Sequence, residues 1–139
     1  SCGWNLLLNS NLKIRRGKDS LVIVGEQNLE RPDSACFTKA MRGVGAQAFA
    51  IVLQHNPKAW EKYIVDDSRS RLTLCGHTHG GQLSLFGLRP TQIEYRQDYG
   101  LYQKGKQYLF ISSGLGGLIP FRLGVSPEIA VITLHKTKP

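Results

Sequence analysis

Cysteine is scarce in this chain. Cys2, Cys36 and Cys75 are the only three, with no paired spacing, and an odd, sparse count argues against a disulfide framework. Long apolar runs are absent: none approaches the roughly 18 residues a membrane-spanning helix needs. Ser1-Cys2-Gly3 offers neither the basic region nor the apolar core of a signal peptide. Acidic residues are few, 10 against 18 Lys and Arg, which leaves a formal charge of +8. That balance favours anionic partners such as phosphates, nucleic acid or an acidic membrane surface, without choosing among them. The basic residues are dispersed. Arg15, Arg16 and Lys18 form one cluster and Lys104 and Lys106 a smaller one, both at expected hairpin tips where solvated charge is ordinary. No internal repeat, low-complexity tract or linker divides the 139 residues, of which 41% are hydrophobic. One domain with a real core is expected over 1–139.

The order of elements predicts an α/β chain with a mixed sheet. Leu6-Leu7-Leu8 reads as a short strand. Leu12 to Arg15 and Leu21 to Val24 flank a loop containing Gly17 and read as a hairpin. Pro32-Asp33-Ser34 offers a helix start with Asp33 or Ser34 capping, and Phe37, Ala40 and Met41 give that helix an apolar side. Ala48 to Leu53 is the clearest buried strand. It runs into Gln54-His55-Asn56-Pro57, and a helix with Trp60, Tyr63 and Ile64 on one side follows. Asp66 to Ser70 is a polar loop before a strand ending at Cys75. Leu83 to Arg96 reads mostly as loop. A second hairpin spans Gly100-Leu101-Tyr102 and Gln107 to Ser112. Ser113 to Gly124 is a glycine-rich loop, and Glu128 to Leu134 reads as a last strand.

The chemistry concentrates at Gly76-His77-Thr78-His79-Gly80-Gly81-Gln82. In extended backbone, residues i and i+2 share a face, so His77 and His79 could aim at one point beyond the strand end. The flanking glycines leave room for a metal ion and an anionic ligand. Imidazoles suit zinc, iron, nickel or copper and tolerate manganese. If the two strands ending before His55 and His77 are parallel neighbours, both ends lie on one edge of the sheet, where ligands of α/β folds gather. His55, His77 and His79 are therefore the candidate metal ligands. Cys75 reads as a buried small hydrophobe more readily than as a further ligand. His135 reads as a solvated strand-end residue, Trp60 as core, Asp66 and Asp67 as ordinary loop residues. Ser112 to Gly117 reads as a tight turn rather than a phosphate cradle.

Four stretches together resemble the C-terminal part of the calcineurin-like metallophosphoesterases, in particular a bacterial, often membrane-associated branch. They are Gln54-His55-Asn56-Pro57, Gly76 through Gln82, Gly100-Leu101-Tyr102 through Ser112-Ser113-Gly114-Leu115-Gly116, and Pro120-Phe121-Arg122-Leu123-Gly124 with Pro127-Glu128-Ile129. The resemblance implies a sandwich of two sheets with helices outside. It implies a site with two divalent ions (Zn, Mn or Fe) about 3.5–4 Å apart, from which a metal-bound hydroxide attacks a phosphoester. His55 and His77 would then serve one ion and His79 the other. The family's Asp-x-His, Gly-Asp and Gly-Asn-His motifs are not in the sequence, no histidine precedes His55, and only Asp19 and Asp33 are aspartates before it. The expectation is a C-terminal portion of a larger phosphoesterase domain, lacking its N-terminal strands and the histidine proposed as general acid. Such a chain would hold one metal ion or none, be inactive or nearly so by itself, and associate into a homo-oligomer through the faces it leaves open. Its larger protein would act on phosphomonoesters or phosphodiesters and reach a membrane, if at all, through the missing part; its localisation, membrane or cytoplasm, is not fixed by the sequence. The alternatives are a mononuclear or structural metal-binding module without catalysis and, from the charge alone, a binder of nucleic acid or anionic membrane. Nucleic acid is not expected, because the basic residues are not interleaved with aromatics.

Overall fold

A computed structural model of the chain describes residues 3–29 and 31–136; Cys2 lies outside them. Six strands form one mixed sheet in the order β1-β2-β3-β4-β6-β5. They are β1 (Ser10–Arg16), β2 (Asp19–Gly25), β3 (Ala50–Leu53), β4 (Ser70–Cys75), β5 (Gly100–Lys104) and β6 (Gln107–Ile111). The central strands β2, β3, β4 and β6 run parallel, and β1 and β5 close the two sides as antiparallel hairpin partners. The α/β mixed-sheet reading agrees with this arrangement.

Register decides which residues form the core. Val22 pairs with Ala50, Val24 with Val52, Val52 with Thr73, Thr73 with Leu109 and Cys75 with Ile111. These rows share one face, and all of these residues are buried. Two short helices cover that face. Helix α1 (Ser34–Ala40) starts at Asp33, whose carboxylate accepts from Ala35 N at 2.9 Å, as its sequence suggests. It contributes Phe37 and Ala40, with Met41 just beyond. Helix α2 (Lys58–Lys62) contributes Ala59 and Trp60, and a 3-10 turn at Ile64–Asp66 adds Ile64 and Val65. Full burial of the larger aliphatic and aromatic side chains among these, such as Phe37, Ile64 and Val65, contributes about 1.5–3 kcal/mol each.

The other face carries a second set of apolar rows, Leu12–Ile23–Ile51–Leu72–Tyr108 and Leu53–Leu74–Phe110–Leu101. Leu12, Ile14, Leu53 and Leu101 on this face stay 41–65% exposed.

Two expected strands are not formed. Leu6-Leu7-Leu8 joins no ladder, and Leu6 and Leu8 are exposed. The segment crosses the end of β2 so closely that a Cβ on Gly25 would lie 2.3 Å from the Leu7 carbonyl oxygen. Asn9 fixes it there through paired side-chain bonds with Gln27, at 2.8 and 2.9 Å. Residues 128–134 likewise pair with no strand. Ile132 and Leu134 line a groove with Phe49, Leu72 and Tyr108 while Val131 is 90% exposed. The side chains are apolar and β-branched like those of a strand, but the segment lies along the sheet without joining a ladder. The Lys136 ammonium ends the run at Asp19, 2.8 Å away.

Candidate metal centre

The strand–helix–strand unit β3–α2–β4 brings two histidines to one edge. Backbone bonds continue past the strand ends, from Gln54 N to Leu74 O at 3.1 Å and from Gly76 N to His55 O at 3.2 Å. Buried Gln54 accepts from Asn56 N at 3.1 Å, and Asn56 in turn accepts from Lys58 N at 3.0 Å, opening α2. The His55 and His77 rings meet edge to face, 5.0 Å between centroids at 78°. At Gly76 any Cβ would come into contact with His55 Nδ1, at 3.9 Å.

Burial pushes the His55 imidazole below its ordinary range, and the nearby His79 charge adds to this. His77 is lowered by burial first and by His55 second. Both rings are therefore neutral at neutral pH, the form in which imidazole offers a lone pair to a metal. The donor chemistry of this pair fits a divalent cation as part of a ligand set. Among the described residues, no group of three or more His, Cys, Asp or Glu side chains is gathered for a metal ion.

The loop after β4 is not extended. His77, His79 and Gln82 have φ of 72°, 52° and 54°, and Gly80 and Gly81 lie in the same left-handed region. Alternation along a strand thus does not relate His77 to His79; His77 faces His55 instead. Non-glycine residues in this region cost about 1–3 kcal/mol each and persist only where the surroundings hold them. Here several groups do. The buried Gln82 side chain donates to the carbonyls of Ile119 and Phe121, at 2.9 and 3.0 Å, and accepts from Leu118 N and Ile119 N. Arg122 donates to the His79 carbonyl at 3.3 Å and to those of Ser113, Gly114 and Gly116. Thr78 Oγ1 donates to the Asp98 carbonyl at 2.5 Å. A Cβ on Gly80 would come within 2.8 Å of Val125.

The stretch read as plain loop, 83–96, supplies more of the site than its sequence suggests. Arg89 grips the carboxylate of Asp98 with two bonds, at 2.7 and 2.9 Å, and Thr91 adds a third at 2.8 Å. Burial alone would raise the Asp98 carboxyl, but these donors outweigh it and hold it below the usual carboxylate range. Tyr95 places its hydroxyl 2.7 Å from His77 Nε2. The Lys58 ammonium stands 4.4 Å over the Tyr95 ring and pairs with Glu94 at 2.5 Å. Nothing periodic in the sequence marks Arg89, Tyr95 or Asp98. Gln82, by contrast, closes the glycine-rich motif of the sequence.

The remaining candidates fall into ordinary places. Cys75 is buried, and burial pushes its thiol well above the usual range. Asp67 is gripped by Arg69, and Asp66 lies 4.0 Å from Lys104. His135 is exposed and Trp60 is core. The Ser113 amide is taken by Glu128 at 3.1 Å and the Gly114 amide by Ser112 at 3.0 Å, so these two amides are already engaged within the chain. The groove lined by Leu83, Leu85, Leu88, Ile93 and Leu123 is apolar and does not include the histidines.

The chain is similar to several curated proteins. It is 40% identical over 93 residues to the uncharacterized metallophosphoesterase YkuE of Bacillus subtilis, covering 64% of this chain and 32% of that protein. To the phosphodiesterase YaeI of Escherichia coli it is 38% identical over 87 residues, 60% of this chain and 32% of the relative. An uncharacterized metallophosphoesterase of Aquifex aeolicus is 28% identical over 144 residues, 94% of this chain and 53% of its own length. The chain thus spans about a third to a half of the length of these relatives. No protein-family model and no solved structure gives a match. One mixed sheet with helices on one face and apolar rows on the other is consistent with part of such a domain.

Proposed function

We propose that this chain, which is related to the metallophosphoesterases, carries part of the metal centre of a phosphoester hydrolase. In this reading His55 and His77 are donors to one divalent cation and His79 to a second. The observation that supports it is the pair itself: two neutral imidazoles, 5.0 Å between centroids, just past the carboxyl ends of adjacent parallel strands. Divalent cations held there would supply Lewis-acid stabilisation of the charge developing on phosphoester oxygens. The chain's own residues hold and orient. The imidazoles donate ring nitrogens, and Gly76 and Gly80 keep backbone close to the donors free of side chains. Gln82, Arg122 and Asp98 hold the strained loop in one geometry, as a preorganised site requires.

The hydrolysis of phosphomonoesters or phosphodiesters is proposed for the larger protein. The 139 residues contain no Asp-x-His, Gly-Asp or Gly-Asn-His motif, so the chain alone is expected to turn over little or no substrate. Assay of a generic phosphodiester with added zinc or manganese, beside a His77→Ala control, tests this; metal-dependent turnover above the control overturns the inactive assignment. The second reading, a mononuclear or structural metal module, draws on the absence of a third clustered ligand among the described residues. Stoichiometric zinc that raises the melting temperature, with no hydrolysis even when the chain is joined to the N-terminal part of a relative, favours it.

A further inference from the structure

We propose that Tyr95 is a positioning residue for the histidine pair: its hydroxyl accepts the Nε2–H of His77 and leaves Nδ1, with its lone pair, for a cation shared with His55. This rests on the reading of His55 and His77 as metal ligands. A neutral imidazole carries one proton and one lone pair, and whichever nitrogen is hydrogen-bonded as donor fixes the other as ligand. Among the described residues the only hydrogen bond to the His77 ring is that from or to Tyr95, 2.7 Å at Nε2. Metal-ligating histidines characteristically donate their second N–H to an outer oxygen, and Tyr95 supplies that oxygen here.

The tyrosine is itself held in place. Its amide donates to Thr91 O at 2.8 Å, continuing the 3-10 turn Pro90–Ile93. Its ring stands 5.6 Å from that of His77, at 67°. Over the ring lies the Lys58 ammonium, anchored by Glu94. Lys58 belongs to the first turn of α2, directly after the His55 loop. The loop after β3 and the loop after β4 are therefore joined through Lys58, Tyr95 and His77 as well as through the two imidazoles. Tyr95→Phe removes the oxygen and keeps the ring, its stacking and the cation above it.

Long-range proton–nitrogen NMR of the metal-free wild type reads the tautomer directly. His77 is expected as the Nε2–H form; a predominant Nδ1–H form overturns the assignment. In Tyr95→Phe a mixture of tautomers is expected, with zinc affinity reduced about 10–100-fold and thermal stability little changed. An unchanged tautomer and unchanged affinity in that variant overturn the positioning role alone. Absence of zinc binding in the wild type overturns the metal reading, and the role of Tyr95 toward a metal with it.

Discussion

Asp98→Ala should be among the most damaging single changes near the histidine loop. The Asp98 side chain is 2% exposed and that of Arg89 18%. Removing the carboxylate leaves a guanidinium largely buried with its donors at Nε and Nη2 unmatched, and strands the Thr91 hydroxyl. Breaking one partner from such a pair costs about 3–5 kcal/mol, a large share of the roughly 5–15 kcal/mol by which domains are stable. Asp98→Asn keeps the shape and part of the hydrogen bonding and should cost about half as much. A double change, Arg89→Met with Asp98→Leu, should recover most of the loss, because the penalty lies in the stranded charge. The sign of the pH effect is fixed too. The Asp98 carboxyl titrates below its ordinary value, so its contribution is present above the unfolded-state value near 4 and is lost as pH falls through the folded one. Urea unfolding followed by circular dichroism, at pH 7 and across the acid range, measures all of this. A loss under about 1 kcal/mol for Asp98→Ala with an unchanged denaturant slope would refute the reasoning.

Glu26 should behave in the opposite sense. Burial raises its carboxyl despite the Tyr63 hydroxyl donating at 2.5 Å, and its Oε2 has no partner among the described residues. Stability should therefore decline as pH rises from about 4.5 through the folded value. Glu26→Gln should abolish that decline and stabilise the chain at pH 7 by about 1 kcal/mol; parallel pH profiles for the two proteins would contradict this. The half-open apolar rows carrying Leu12, Ile14 and Leu101 motivate self-association. Light scattering should find more than monomer, reduced by Ile14→Glu, and a monomer at all concentrations would count against it.

Much of the scaffold was legible because it is written locally. Val22-Ile23-Val24 and Ala50-Ile51-Val52 are consecutive apolar residues, largely β-branched, in central strands paired on both edges, and Asp33 caps α1 through its own neighbours. The two failed strands share a cause. Leu6 to Leu8 and 128–134 have strand-like side chains, but a strand also needs a backbone edge to pair with, and no edge is encoded in the segment itself. At the site, His55 and His77 were legible because each follows a strand, and parallel pairing places strand ends together. The geometry linking His77 to His79 was not: extended alternation fails where the backbone turns left-handed at His77. Tyr95, Arg89 and Asp98 act across loops with no periodicity, so only the fold brings them to the histidines.

Zinc titration of the purified chain by calorimetry, beside His55→Ala and His77→Ala, tests the central claim most directly. Burial lowers both histidines, so binding should persist to somewhat below the ordinary imidazole range and then fail as both rings protonate. The account predicts saturable binding of one zinc per chain at pH 7, abolished in each variant. No binding by the wild type, or binding that survives both substitutions, would contradict it.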